Sequence, residues 1–471
     1  MQRPIVMKFG GTSVGDGESI RRTAAIIASF DGPCVVVVSA MAGVTDTLIE
    51  ATQLAEKQNH TELAKLLEAL RTKHVDAVHS LELEPEKKHS VIEAIDALLA
   101  SLKIQTQAIA EAKKCTPEHY DAVLSFGERL SIHQVAAAVE KAGRSTKPIE
   151  ATSCIVTTAE FGDAEPLLDA SAIKTASVLL PLLEDGVTPV VTGFIGATAT
   201  SKTTTLGRGA SDYTATILGY CINSRQVWIW TDVTGVMTAD PKLIPEATTI
   251  ANLSYEEASE LSYFGAKVLH PLTMVPASLK RIPIYIKNTF EPEAAGTRIA
   301  SESEAGKDGV KAITVKSEMS LVTVQGKGVM GVPSVAAKVF GALANEKIDV
   351  FLISQASSEH NISFVIKGSS GAVAVERVHG ELTDEMTAKS VDIVQLRNGL
   401  SIVAVVGNGV YSLPEVTTKT FASLGAASVD VIAIAYGSSE RSLSFVVESS
   451  EAVTALRSLH QTFRLVEQEG V

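Results

Sequence analysis

The chain has 471 residues, of which 45% are hydrophobic, 20% charged and only 5% aromatic, an ordinary composition with apolar material for roughly two to four domains. A net charge of −13 without a long basic run argues against nucleic acid as a partner. The longest apolar run, Cys34 to Val44, is interrupted by Ser39 and too short for a bilayer. The N-terminus has no signal-peptide pattern, and Cys34, Cys115, Cys154 and Cys221 form no Cys-x-x-Cys pair. The expectation is a cytoplasmic protein with no membrane partner, buried thiols in a reducing compartment, and no disulfide frame or zinc site.

The first predicted unit is a strand, a glycine-rich turn and a helix. Pro4-Ile5-Val6-Met7 is a short apolar run, Lys8 to Gly17 is rich in glycine, and Glu18 to Phe30 carries apolar residues at helical spacing. Gly10 and Gly11 allow backbone to approach a ligand. The helix start that follows offers N–H groups and partial positive charge, and Lys8 adds a full charge, so the stretch suits a phosphate. A plain tight turn with a solvated lysine accounts for it equally well. It is not a P-loop, since no Gly-x-x-x-x-Gly-Lys-Ser/Thr occurs.

Cys34 to Val38 reads as a strand buried on both faces, leaving through the small-residue loop Ser39 to Thr45. Asp46 to Ala112 has a helical pattern broken near Pro85. Asp121 to Phe126 is predicted as a strand running into Gly127-Glu128-Arg129 and a helix through Lys141. Pro189 to Gly196 is a strand ending in a glycine-bearing loop. Thr205 to Asp212 is a second glycine-rich turn before a helix, Tyr213 to Tyr220. Val227 to Trp230 is a strand leading into Thr231 to Met237. A helix over Ser254 to Ala266 and a last strand, Ile284 to Asn288, complete this half. The alternation predicts an α/β fold, a mainly parallel sheet sandwiched by helices. Glu291 to Gly309, rich in Glu, Ala, Ser and Gly, reads as a linker.

Beyond it lies an internal repeat. Gly326 to Ile366 aligns without a gap on Gly407 to Val447, matching Pro333 with Pro414, Phe340 with Phe421, Asp349-Val350 with Asp430-Val431 and Ser363-Phe364-Val365 with Ser444-Phe445-Val446. Each copy reads as a βαββαβ unit, two copies of one small domain.

Lys8, Ser39, Thr45, Glu128, Arg208, Ser211, Asp212, Thr231, Asp232 and Lys267 fall at predicted strand ends, where open α/β sheets hold ligands. Singly, such residues are more often helix caps or solvated charges. The pairing of two glycine-rich turns with lysines, an arginine and carboxylates lifts the set above that reading.

Lys8-Phe9-Gly10-Gly11-Thr12-Ser13-Val14, Ser39-Ala40-Met41, Ser125-Phe126-Gly127-Glu128-Arg129, Thr205-Leu206-Gly207-Arg208-Gly209, Trp230-Thr231-Asp232-Val233 and Phe264-Gly265-Ala266-Lys267-Val268-Leu269-His270-Pro271 closely resemble the aspartokinases of the amino-acid kinase fold. The repeat resembles their C-terminal pair of ACT domains. The resemblance implies an amino-acid kinase domain over 1–300, ACT domains over 310–390 and 395–471, and ATP-dependent phosphorylation of the L-aspartate β-carboxylate with Mg²⁺. That is the first step toward lysine, threonine and methionine. Because the chain ends soon after the second repeat, a monofunctional enzyme is expected, forming a homodimer or homotetramer through its ACT domains.

By the same resemblance, Lys8 with the Gly10 and Gly11 backbone holds the transferring phosphoryl group, and Asp212 orients Lys8 or the metal. Thr45, Glu128, Arg208, Gly209 and Ser211 bind aspartate, Glu128 accepting from its ammonium and Arg208 forking onto its α-carboxylate. Ser39, Thr231, Asp232, Gly235, Val236, Met237, Asp240 and Lys242 line the nucleotide pocket, closed by Lys267 and Val268. No protein cage for a metal is assigned. Departures from the family pattern are Ala210, where another Gly is common, Met237, often Tyr, and Lys242, often Arg. An effector site is expected at Met330, Gly331, Val332, Ile353, Gln355, Asn361 and Ile362. Threonine is the favoured effector, from the likeness of Ile353 to Glu359 to threonine-sensitive members, and lysine the alternative. Kinases of glutamate or acetylglutamate, and a catalytically dead sensor, are the competing readings. The ACT pair and the Phe126-Gly127-Glu128-Arg129 stretch argue against the first, and the retained Lys8, Glu128, Arg208, Asp212 and Lys267 against the second.

Overall fold

The computed structural model describes residues 2–207, 209–266, 269–301, 309–327, 333–356, 361–410, 414–435 and 441–465. Over these, the chain folds as two units, one of Met1–Val236, Ala251–Ser259 and Val268–Gly306, the other of Met237–Ile250, Glu260–Lys267 and Lys307–Val471.

The strands of the first unit are β1 (Ile5–Phe9), β2 (Cys34–Val38), β3 (Thr146–Ile149), β4 (Val156–Thr157), β5 (Thr188–Thr192), β6 (Ile195–Thr198), β7 (Thr203–Thr205), β8 (Gln226–Thr231), β9 (Asn252–Ser254), β10 (Ile284–Asn288) and β11 (Thr297–Ala300). Its helices are α1 (Gly17–Ser29), α2 (Val44–Glu56), α3 (His60–Ser80), α4 (Pro85–Ala112), α5 (Pro117–Leu124), α6 (Phe126–Lys141), α7 (Leu168–Glu184) and α8 (Ala210–Cys221), then α9 (Tyr255–Tyr263) and α10 (Pro271–Leu279).

Among the described residues the main sheet has the order β3-β5-β2-β1-β8-β10-β11-β9. Its pairs are parallel except β10 with β11. β1 and β2 are buried along their whole length, which is why their apolar runs are continuous rather than alternating. The register sets Phe9 opposite both Val38 and Trp230, so three central strands end together and the loops after Phe9, Val38 and Thr231 leave one edge of the sheet. The core beside β1 and β2 is filled from α1, α2, α3, α4 and α6.

Three sequence expectations change. Asp121 to Phe126 is not a strand: Asp121 to Leu124 end α5, and Phe126 opens α6. The short apolar run misleads, because Thr116 caps α5 by accepting from the His119 N–H and Pro117 occupies its first turn. Pro189 to Gly196 divides into β5 and β6, the latter in a small separate sheet with β4 and β7. The expected linker holds β11, which continues the main sheet.

In the second unit the strands are β12 (Gly309–Gln325), β13 (Leu352–Ala356), β14 (Asn361–Lys367), β15 (Ile393–Asn408), β16 (Ala433–Ala435) and β17 (Ser442–Glu448). Its helices are α11 (Pro333–Asn345), α12 (Gly371–Glu381), α13 (Thr383–Thr387), α14 (Pro414–Ala426) and α15 (Ala452–Thr462). One sheet runs β13-β14-β12-β15-β17-β16. β12 and β15 are long and antiparallel, and each serves both repeats: Gly309 to Lys316 lie against Ile402 to Asn408, and Leu321 to Gln325 against Ile393 to Arg397. The repeats are therefore interleaved through shared strands, each with its own core. Residues 237–250 also fold into this unit. Ala239 and Ile244 enter the core with Val405 and Phe445, and Thr238 Oγ1 lies 3.0 Å from His460 Nε2.

Candidate active site

A cavity of about 620 Å³ opens in the first unit at the carboxyl edge of the central strands. Lys8, Gly11, Ser39, Thr45, Glu128, Gly209, Ser211 and Asp212 all line it. These expected site residues come from four separate stretches of sequence.

Lys8 is the next-to-last residue of β1 and only 7% exposed. Its Nζ lies 2.5 Å from Asp212 Oδ1 in an ion pair of two mostly buried side chains. Asp212 stands in the first turn of α8, whose N-cap is Gly209 at φ +71 with no side-chain cap. A Cβ at Gly209 would be strained by that backbone and would approach the His270 Cβ to 3.1 Å. The uncapped start of this 12-residue helix thus presents its positive end to the cavity. Ala210 is the first residue of α8 and is not among the residues with positive φ, so the missing glycine costs nothing there.

Glu128 comes from the first turn of α6 and is 4% exposed. It reaches the loop after β2 because Gly127 lets α6 approach: a Cβ there would fall 2.8 Å from the Ala40 Cβ. The Ala40 N–H donates to Glu128 Oε1 at 3.1 Å. Burial pushes the Glu128 carboxyl up to about 8, with the Ala40 N–H and the Lys8 charge opposing only part of the desolvation. The cavity therefore holds a buried cation paired to a carboxylate and a second carboxyl whose desolvation is only partly offset.

The anion-binding parts differ in one respect from expectation. The start of α1 is capped by Asp16, whose carboxylate accepts from Ser19 N at 2.8 Å and is held below the usual range by that bond. Its positive end is already neutralised, and the uncapped helix start at the cavity is that of α8. Gly10 does not line the cavity, and its N–H donates to Trp230 O at 3.1 Å.

Thr231 ends β8 and Asp232, Gly235 and Val236 follow it, all outside this cavity; Thr231 Oγ1 donates to Asp232 Oδ1 at 3.2 Å, and Val236 N to Thr297 Oγ1 at 2.8 Å. Met237, Asp240 and Lys242 fold with the second unit, where Asp240 Oδ1 accepts from Lys242 N at 2.9 Å. Ile353 and Gln355 lie on the edge strand β13, with Gln355 opposite Ile362 on β14, and Asn361 pairs in register with Gln325 on β12. Arg208, Lys267, Val268, Met330, Gly331 and Val332 lie outside the described residues.

Sequence reasoning missed a second wall of the cavity, formed by Ile49, Tyr120, Leu124, Gly162, Phe194 and Thr205. Tyr120 and Leu124 were hidden by reading α5 as a strand. Phe194 has φ +68, a strained conformation for a bulky residue. It is held by hydrogen bonds from its own N–H to Thr214 Oγ1 and from Leu206 N to its carbonyl, both 3.0 Å. Nothing in the local sequence signals this.

A parallel α/β sheet with a buried lysine, a buried carboxyl and an uncapped helix start at its carboxyl edge defines an enzyme-type site for a small anionic ligand that also carries positive charge. The amino acid kinase family model matches residues 3–288, and the ACT domain model matches 322–382 and 403–463. Bifunctional aspartokinase/homoserine dehydrogenase 2, chloroplastic, of Zea mays is 34% identical over 98% of this chain and 50% of its own length. Aspartokinase 3, chloroplastic, of Arabidopsis thaliana is 32% identical over 97% of this chain and 81% of its own. Among solved structures, E. coli aspartokinase III in complex with aspartate and ADP (R-state) is 31% identical, with a TM-score of 0.82 over 98% of this chain and 99% of that one. The same enzyme in complex with lysine and aspartate (T-state) gives 0.79. The chain spans about half the length of the bifunctional relatives it matches first. It belongs to the aspartokinases of the amino acid kinase family. Among the described residues, no helix is long and apolar enough to cross a membrane.

Proposed function

We propose that this chain is an aspartate kinase, transferring the γ-phosphoryl group of ATP to the β-carboxylate of L-aspartate to give 4-phospho-L-aspartate and ADP, in the cytoplasm and under feedback control by its ACT domains. The observation that carries the reading is the placement of Lys8 and Glu128, a buried cation and a buried carboxyl, in one cavity beside the open start of α8. Aspartate has matching parts, an ammonium for Glu128 and two carboxylates for the positive groups. Arg208 is assigned the planar fork for the α-carboxylate, and Thr45, Gly209 and Ser211 the remaining contacts to aspartate.

The reaction needs no general base, because the attacking carboxylate is ionised at neutral pH, with a free pKa of about 3.9. It needs in-line positioning and positive charge as one anion approaches another. Lys8, oriented by Asp212, provides the charge, and the Gly11 turn and the α8 start provide dipoles. ATP's remainder lies along Ser39, Thr231, Asp232, Gly235, Val236, Met237, Asp240 and Lys242, with Lys267 and Val268 closing over it. Mg²⁺ carried by nucleotide phosphates needs only one or two protein carboxylates. Asp212, lining the cavity, is the carboxylate assigned to that mode. When bound, the ion neutralises phosphate charge.

Threonine is the proposed effector and lysine the alternative, bound by Ile353, Gln355, Asn361 and Ile362 with Met330, Gly331 and Val332. Supporting threonine, Phe351 offers no carboxylate to a lysine ammonium, and Lys316 Nζ lies 4.2 Å from its ring centroid. A homodimer or homotetramer through the ACT domains is supported by the apolar Ile353 and Ile434, 54% and 41% exposed at the two sheet edges.

The test is ADP release, with the acyl phosphate trapped by hydroxylamine, from ATP and Mg²⁺ with L-aspartate, L-glutamate or N-acetyl-L-glutamate. Hydroxamate with aspartate alone is expected. Product from glutamate or its acetyl derivative instead, or from none, refutes the proposal.

A further inference from the structure

Asp121 takes no part in the chemistry above, yet it is among the most completely buried charged residues in the first unit, with no exposed surface. It sits in α5 and ties together two segments far away in sequence. Its Oδ2 accepts from Gly162 N at 2.9 Å and from Thr205 N at 2.9 Å, and its Oδ1 accepts from Thr205 Oγ1 at 2.8 Å. Both partners line the cavity. Thr205 is the last residue of β7, three positions before Arg208, and Ala164 N donates to Thr205 O at 2.9 Å, closing the same junction from the other side. α5 leads through Ser125 directly into α6, which carries Glu128.

From this geometry we infer that Asp121 is a positioning residue that sets where the ammonium-binding carboxylate on α6 stands relative to the Gly162 and Thr205 wall of the cavity. This inference rests on the aspartate reading above. One buried side chain accepting from three donors fixes the α5–α6 corner to the end of β7, so Glu128 keeps its place against that wall of the cavity. Burial pushes the Asp121 carboxyl up, and its three hydrogen bonds pull it down, so retaining an acid here is costly unless the clamp matters.

The clamp needs acceptors, not charge. In Asp121→Asn the amide oxygen can take both backbone N–H groups while the NH₂ faces a rotated Thr205 hydroxyl. In Asp121→Ala the two N–H groups are left buried without an acceptor. The expected results are an aspartate KM raised tenfold or more in Asp121→Ala with kcat lowered less than threefold and ATP KM unmoved, recovery to within threefold of wild type in Asp121→Asn, and a two- to fivefold rise in Thr205→Val, which removes only the hydroxyl. Hydrogen exchange reads the clamp without any substrate: the Gly162 and Thr205 amides exchange at least tenfold faster in Asp121→Ala and stay protected in Asp121→Asn. Absence of wild-type activity on aspartate overturns the proposed function, while the exchange result still decides the clamp. Asparagine behaving like alanine, a fall in kcat with aspartate KM unchanged, aspartate and ATP KM rising together, or unaltered exchange overturns the inference. If Asp121→Ala does not fold, an unmoved aspartate KM in Thr205→Val does so.

Discussion

The buried Glu128 carboxyl makes aspartate binding a proton-linked event with a calculable size. In the free enzyme its pKa stands at about 8, raised by burial, so near neutral pH it carries a proton. An arriving ammonium favours the ionised form, and binding must release that proton. Below about 8, aspartate KM therefore falls about tenfold for each pH unit of increase, and above it the curve flattens. Between about pH 6.5 and about pH 8.5 the free-enzyme fraction with Glu128 ionised rises roughly 25-fold, so KM drops by about that factor. The substrate's own ammonium stays charged across this range, and its carboxylates are ionised throughout. Glu128→Gln keeps an oxygen for the Ala40 N–H but cannot ionise: its KM is high, on the order of ten- to a hundredfold above wild type at the alkaline end, and flat with pH. The assay is initial-rate kinetics over aspartate at saturating ATP at several pH values, with a calorimetric measurement in two buffers of different ionisation enthalpy to count the released proton. A wild-type KM that does not change with pH, no released proton, or a Glu128→Gln enzyme that keeps the slope refutes the reasoning.

The other predictions follow from the same site and from the sheet edge of the second unit. Lys8→Ala removes the buried cation paired with Asp212 and lowers turnover by on the order of a hundredfold or more, with a smaller change in aspartate KM; turnover near wild type would show that Lys8 does not carry the transferring charge. Arg208→Lys keeps the charge but loses the fork, so aspartate KM rises in steady-state kinetics while ATP KM holds; an unchanged aspartate KM counts against the assignment. Gln355→Ala, on the edge strand β13, relieves threonine inhibition with uninhibited turnover nearly intact, because an effector biases a conformational equilibrium and takes no part in chemistry. Inhibition by lysine alone in the wild type, or threonine inhibition unaltered in the variant, sinks the effector assignment.

What the sequence discloses depends on whether the information is local. β1 and β2 announce themselves because strands covered on both faces need unbroken apolar runs, and Cys34 to Val38 is one. Lys8 and Ser39 are legible for a related reason: the carboxyl end of a parallel strand and the loop leaving it are where ligands sit, and strand and loop are adjacent in sequence. α5 was legible too, but from its cap rather than its apolar content. Thr116-Pro117 is a helix-start signal, and it outweighs four apolar residues in a short run, which cannot distinguish strand from buried helix.

The remainder is non-local, and it includes much of what shapes the site. β11 is a strand because β10 and β9 offer it partners, in a stretch whose composition reads as a linker. The two repeats align without a gap, but their similarity carries no record that β12 and β15 each pair across both of them. Asp121 is the sharpest case. Within its own helix it is one acidic residue in an apolar segment; its role becomes visible only when Gly162 and Thr205, 41 and 84 residues away, arrive with three donors. A fold can specify the chemistry of a pocket through short motifs, since each reactive group needs only its own strand end or helix start. The distance between two such groups belongs to no motif. It is fixed by buried polar residues whose partners come from elsewhere in the chain.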